Sequence, residues 1–156
     1  MFYTWLRPAN DSFDLAKKFS VPVVYASSSA VYGNLPVGKD YLEKYSIASP
    51  YALDKLTMEN YAKMCHEIFN VTSVGLRLFN IYGPNQDLKN LHQGMFSIYL
   101  AQALKGNKIK VTGSLERYRD FVYISDTISA LMINPKNKKN YIMNLGTGKR
   151  NSVKKV

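Results

Sequence analysis

The stretch Val21-Pro22-Val23-Val24-Tyr25-Ala26-Ser27-Ser28-Ser29-Ala30-Val31-Tyr32-Gly33 opens as a β-branched and aromatic run and turns abruptly to hydroxyls and a glycine. Val21 to Ala26 reads as a buried strand, because such side chains suit a pleated surface covered on both faces. In open α/β sheets ligands gather at the carboxyl ends of strands, which is where these serines emerge. A serine-rich turn bonding its own backbone is the plain alternative. Further on, Ser49-Pro50 supplies a cap and a proline at the first helical position, and the helical pattern runs to Asn70. That helix opens with Tyr51-Ala52-Leu53-Asp54-Lys55, where a spacing of four puts phenol and ammonium on one face.

A tyrosine of ordinary pKa, about 10, is a poor base at neutral pH. A nearby cation favours the phenolate, so a tyrosine–lysine pair can be poised for proton transfer. The pair alone says little, since an exposed tyrosine beside an incidental lysine is common. A strand ending in hydroxyls and followed by this pair at a helix start is a much rarer combination.

Outward from this centre, Asp11 to Phe19 is predicted helical, with Phe13, Leu15, Ala16 and Phe19 on one apolar side. Ser27 to Ser49 reads as loop, punctuated by Gly33, Pro36 and Gly38. Thr72 to Leu78 is a second strand, and the loop after it carries Gly83-Pro84. A helix from about Gly94 to Lys105 stops at Gly106. Ile109 to Thr112 and Phe121 to Ile124 read as short strands, Asp126 as the cap of a helix through Ile133, and Tyr141 to Leu145 as a last strand. Alternating strands and helices predict a largely parallel α/β sheet.

With 156 residues the chain can build a domain with a sizeable core, and 46% apolar against 21% charged residues excludes a disordered composition. No apolar run approaches the roughly 20 residues that span a bilayer, and Met1 to Asn10 lacks a signal-peptide pattern. Cys65 is the single cysteine, which excludes an internal disulfide and fits a reducing compartment. A soluble, cytoplasmic protein is expected, with neither membrane nor nucleic acid as partner and no metal. The formal charge of +10 comes with lysine clusters at Lys105 to Lys110, Lys136 to Lys139 and Lys149 to Lys155. It suits a nucleic-acid surface, a diphosphate-bearing substrate or a solvated surface; the neighbouring Gly, Asn and Pro favour solvated loops.

Five segments carry a resemblance: Val24 to Gly33, Ser49 to Lys55, Leu76-Arg77-Leu78-Phe79-Asn80-Ile81-Tyr82-Gly83-Pro84, Arg119-Asp120-Phe121-Val122-Tyr123 and Asn144-Leu145-Gly146-Thr147-Gly148. In order, they resemble successive motifs of the NAD-dependent epimerase/dehydratase family of extended short-chain dehydrogenases/reductases. The resemblance implies a partial Rossmann-type parallel sheet with part of a small C-terminal substrate-binding domain. Residues 1–78 would be the C-terminal half of the NAD-binding domain and residues 79–156 mostly substrate-binding region, with 119–133 packing back on the Rossmann domain. Complete members begin with a strand and a glycine-rich turn for the cofactor pyrophosphate, which does not occur here. A truncated chain, inactive alone and a homodimer at full length, is therefore expected.

The implied roles follow residue by residue. Tyr51 is similar to the catalytic tyrosine that exchanges a proton with a sugar hydroxyl, and Lys55 to the lysine that holds the nicotinamide ribose. Ser28 falls at the catalytic Ser/Thr position, bridging substrate hydroxyl and tyrosine. Phe79 and Asn80 resemble the pair that touches cofactor and substrate, although simple core packing suits Phe79 equally. Arg119 resembles the arginine that reaches the nucleotide diphosphate, its alternative being a salt bridge with Glu116 or Asp120. Family dehydratases and decarboxylases carry carboxylates after the catalytic hydroxyl, where this chain has Ser29-Ala30. That leaves redox-neutral epimerisation at C4 of a UDP-hexose with NAD. The rival within the family is ADP-glycero-manno-heptose 6-epimerase. Its extra lysine is missing from His92-Gln93-Gly94 unless Lys89 substitutes. A non-catalytic polyanion-binding fragment is the alternative of another class.

Overall fold

The structure, a computed structural model, describes residues 3–35, 45–90, 94–106, 108–136 and 139–155. In chain order the elements are α1 (Tyr3–Phe19), β1 (Val23–Ser28), a 3-10 turn (Ser29–Tyr32), α2 (Pro50–Phe69), β2 (Ser73–Leu78) and β3 (Asn80–Tyr82). There follow α3 (Met95–Leu104), β4 (Tyr118–Arg119), β5 (Phe121–Tyr123), α4 (Ile124–Leu131), β6 (Asn140–Leu145), β7 (Asn151–Ser152) and a 3-10 turn at Val153–Lys155. Two compact units result, one from residues 1–78 with 130–144, the other from residues 79–129 with 145–156. No helix among the described residues is long and apolar enough to cross a membrane.

The first unit holds the expected parallel α/β sheet, in strand order β1-β2-β6. β1 and β2 run parallel, in register from Val23 opposite Ser73 to Ser28 opposite Leu78. β1 starts two residues later than predicted. Pro22 has no N–H to give, so the ladder opens at Val23, whose N–H donates to Thr72 O at 2.9 Å. It also runs on through Ser28, so Ser27 and Ser28 belong to the strand and not to a loop after it.

The longer helix, α2, is closed at both ends by local chemistry. Ser49 Oγ accepts the Ala52 N–H at 3.2 Å, and Pro50 opens α2 where an N–H would lack a partner anyway. Asn70 adopts φ 54° and ends α2, its N–H donating to His66 O at 2.8 Å and that of Val71 to Cys65 O at 3.4 Å. α1 begins at Tyr3, eight residues ahead of the predicted Asp11. Its expected apolar side is corrected too: Phe13 and Ala16 are buried, but Leu15 is 55% and Phe19 61% exposed. At about 100° per residue, Leu15 turns away from the face that Phe13 shares with Ala16. Phe13 and Ala16 join Tyr25, Ala62, Cys65 and Val71 in the core. Phe13 meets Tyr25 and Tyr61 edge-on at 6.1 and 5.6 Å, and trimming it to alanine would cost about 3–5 kcal/mol.

In the second unit β3 pairs parallel with β5, and β4 antiparallel with β7. Tyr82, Phe96, Phe121 and Tyr123 form a half-buried aromatic cluster open to solvent at Tyr123, Tyr82 lying 5.2 Å from Phe96 and 5.4 Å from Tyr123. β3, β4 and β7 are additional to the strands expected from the sequence. Ile109 to Thr112 is no strand, because the Lys110 N–H donates to the Gln102 side chain at 2.6 Å and joins no ladder. α4 begins at Ile124 and ends at Leu131, so Asp126 lies inside its first turn and does not cap it. The Asp120 carboxylate accepts from Thr147 N–H at 3.0 Å, from the Thr147 hydroxyl at 2.6 Å and from Gly148 N–H at 2.8 Å. A Cβ at Gly146 would stand 2.6 Å from that carboxylate, which explains glycine there. Two motifs separate in sequence thus close one turn.

Candidate active site

Three of the predicted site residues lie in the first unit. Lys55, one turn into α2, donates from Nζ to Ala26 O at 2.8 Å, at the carboxyl end of β1. Its Nζ lies 5.7 Å from the centroid of the Tyr51 ring, which is exposed, so the spacing of four brings ammonium and phenol together. Burial lowers the Lys55 pKa below the ordinary lysine value, while Asp54 pulls it the other way. Ser28 is buried, and its Oγ accepts the Ala30 N–H at 3.1 Å to cap the 3-10 turn. The serine turn bonding its own backbone is therefore realised at Ser28, and the hydroxyl hydrogen is not consumed by that bond. Beyond the turn, Gly33 has φ 53°, and a Cβ there would lie 1.7 Å from Ser46 O. Only glycine allows the chain to pass so close.

Behind this edge lies a buried polar network that the sequence reading missed. Arg77 of β2 is 1% exposed and Glu59 of α2 4%. They form a two-pronged ion pair, Nε to Oε1 at 2.9 Å and Nη2 to Oε2 at 2.7 Å. Ser27 donates its hydroxyl to Glu59 Oε1. Arg77 Nη1 donates to the Tyr32 hydroxyl at 2.9 Å, which donates on to Asn144 Oδ1 at 2.7 Å. Burial works against the Arg77 charge, but the bonds to Glu59 and Tyr32 outweigh it and hold the guanidinium above its ordinary pKa. The available signal was a lone arginine in Ser73-Val74-Gly75-Leu76-Arg77-Leu78, since a charge in a strand buried on both faces needs a partner.

Phe79, Asn80 and Arg119 belong to the second unit. Asn80 gives its backbone and side-chain N–H groups to Asp120 O, at 3.1 and 2.9 Å. Phe79 packs beside Gly146. Asn80 and Arg119 line a cavity of about 530 Å³ together with Gln102, Lys110, Thr112 and Arg117. Met95, Ile98 and Tyr99 supply an apolar wall, and no carboxylate among the described residues lines it. The salt bridge of Arg119 with Glu116 or Asp120 does not form; its Nη1 donates to Tyr118 O at 2.9 Å. Burial first, and then the like charge of Arg117, lower the pKa of Arg119. Arg117 Nε is itself buried with no hydrogen-bond partner among the described residues. Arg117 was legible only as an alternation, since residues two apart on an extended segment share a face. His92 and Gln93, where the heptose-epimerase reading looks for a lysine, lie outside the described residues, and Lys89 is exposed.

Residues 9–146 match the NAD dependent epimerase/dehydratase family, and the chain belongs to it. Among its relatives, the putative UDP-glucose 4-epimerase of Methanocaldococcus jannaschii is 35% identical over 92% of this chain and 47% of its own length. The UDP-N-acetylglucosamine 4-epimerase from Methanobrevibacter ruminantium, solved with UDP-N-acetylmuramic acid, superposes with TM-score 0.82 at 29% identity, over 94% of this chain and 48% of that one. The Helicobacter pylori ADP-L-glycero-D-manno-heptose-6-epimerase follows with TM-score 0.77 at 31% identity, over 90% and 45%. The chain thus spans about half the length of these relatives.

Proposed function

We propose that the intact protein is a nucleotide-sugar epimerase of the UDP-glucose 4-epimerase type, oxidising and re-reducing a hexose at C4 with NAD. The carrying observation is the seating of Lys55 on Ala26 O, which fixes the Tyr51 turn of α2 at the strand end that also bears Ser28. The residues present fit the nicotinamide ribose, because one of the three Lys55 N–H groups goes to Ala26 O and two can meet a vicinal diol. When bound, NAD supplies the hydride acceptor and donor of a redox-neutral cycle. Tyr51 takes the proton of the 4-hydroxyl as the sugar is oxidised and returns it on reduction. Ser28 keeps its hydroxyl hydrogen for the sugar oxygen. Elimination of water would need a further acid/base pair, and Ser29-Ala30 provides none.

The second unit supports a nucleoside-diphosphate end for the substrate. Lys110, Arg117 and Arg119 offer cationic donors with no competing carboxylate among the described lining residues, and Met95, Ile98 and Tyr99 give a base an apolar wall. Proton NMR of the intact protein with UDP-glucose or UDP-N-acetylglucosamine should show the galacto epimer growing in, with no net change in reduced-nicotinamide absorbance. Tyr51→Phe should abolish turnover and keep substrate binding. A 4-keto-6-deoxy product would sink the proposal, and turnover of ADP-heptose alone would move it to the 6-epimerase.

A further inference from the structure

We propose that Glu59, clamped between Ser27 and Arg77, is a positioning residue that sets the axial seat of α2 and thereby holds Lys55 and Tyr51 at the end of β1. The inference rests on reading Tyr51 and Lys55 as the proton-handling pair. Tyr51, Lys55 and Glu59 follow one another at four-residue steps, so they form one stripe along α2. That stripe touches β1 on successive residues, Lys55 at Ala26 O and Glu59 at the Ser27 hydroxyl. Two such contacts a turn apart fix both the rotation and the slide of the helix against the strand, where one would leave it free to pivot.

Glu59 can serve as that anchor because it is itself immobilised. Arg77 grips both of its oxygens from β2. The guanidinium lies 4.9 Å from the Tyr32 ring and 5.5 Å from that of Tyr45, and Tyr32 passes the chain of bonds to Asn144. The clamp thus ties α2, the 3-10 turn and all three strands of the sheet to one carboxylate. Because the pair is internally neutral, it acts on Lys55 through geometry and not through its field. A buried ion pair of this kind often adds little to stability over an apolar replacement, which makes a positional role the better account of its presence.

The test is nitrogen-15 NMR titration of the Lys55 ammonium in the 156-residue chain, beside urea unfolding. It needs no turnover, so it succeeds or fails separately from the assigned reaction. In the wild type Lys55 should titrate below about 10.4, the ordinary lysine value. Ser27→Ala cuts only the link to β1 and leaves the ion pair whole and neutral, so a change at Lys55 reports position and not field. It should raise the Lys55 midpoint, and Ser27→Thr, which restores a hydroxyl, should bring it back. A Lys55 midpoint unmoved in folded Ser27→Ala, or ordinary already in the wild type, would overturn the proposal and leave the clamp a folding staple.

Discussion

In the first unit the buried guanidinium of Arg77 meets the Glu59 carboxylate, whereas in the second Arg117 and Arg119 face a cavity lined by no carboxylate among the described residues. Both arrangements put arginine in partial or full burial, at a desolvation cost. One is compensated by the protein itself and serves the protein's own geometry. In the other, burial first and then the like charge of Arg117 lower the pKa of Arg119, and no carboxylate among the described residues lines the cavity to offset them.

The sharpest way to break this contrast is Arg77→Met, which leaves Glu59 buried without its cation. It should cost about 3–5 kcal/mol by urea unfolding, and Arg77→Met combined with Glu59→Leu should regain most of that. A single-variant loss below about 1 kcal/mol would mean that the pair is not the internal compensation described. Arg119→Gln should do the reverse. Its stability should stay within about 0.5 kcal/mol of wild type, while UDP affinity by calorimetry falls about tenfold or more. A large stability loss there would turn the cavity arginine into a structural one.

The smallest effect concerns Lys55. Its pKa is lower in the folded chain than in the unfolded one, so between those two values the unfolded state binds more protons. Its contribution is therefore unfavourable below that window and improves as pH rises through it toward about 10.4. Comparing the pH dependence of unfolding for wild type and Lys55→Met should show the rise only in the wild type.

These contrasts also mark what could be read from the residues alone. The ends of α2 were legible because Ser49, Pro50 and Asn70 act on backbone within a turn of themselves. The parallel sheet was legible in its β-branched runs, and the shift of β1 by two residues follows from Pro22, a local cause that the pattern of side chains hides. β3 was not legible. Asn80 to Tyr82 differs from β2 by its partner, β5, and partners are chosen far away in sequence. Ile109 to Thr112 had a strand's composition and no ladder to join. At the site, the Tyr51–Lys55 spacing showed directly. The roles of Ser27, Glu59 and Arg117 depend on which side chains meet across elements.

The route of the chain has a practical consequence for dissecting the protein. Residues 130–144 complete the unit that residues 1–78 begin, and residues 145–156 complete the other. No single cut therefore separates a whole unit from a whole unit. A fragment ending at Leu78 would lack β6 and leave the Tyr32 hydroxyl without Asn144. Trimming from the other end would remove the Gly146-Thr147-Gly148 turn from Asp120 and, within the same few residues, the third strand of the sheet. Nested deletions should accordingly damage both units at nearly the same point, and excising either one calls for a linker that rejoins its two pieces.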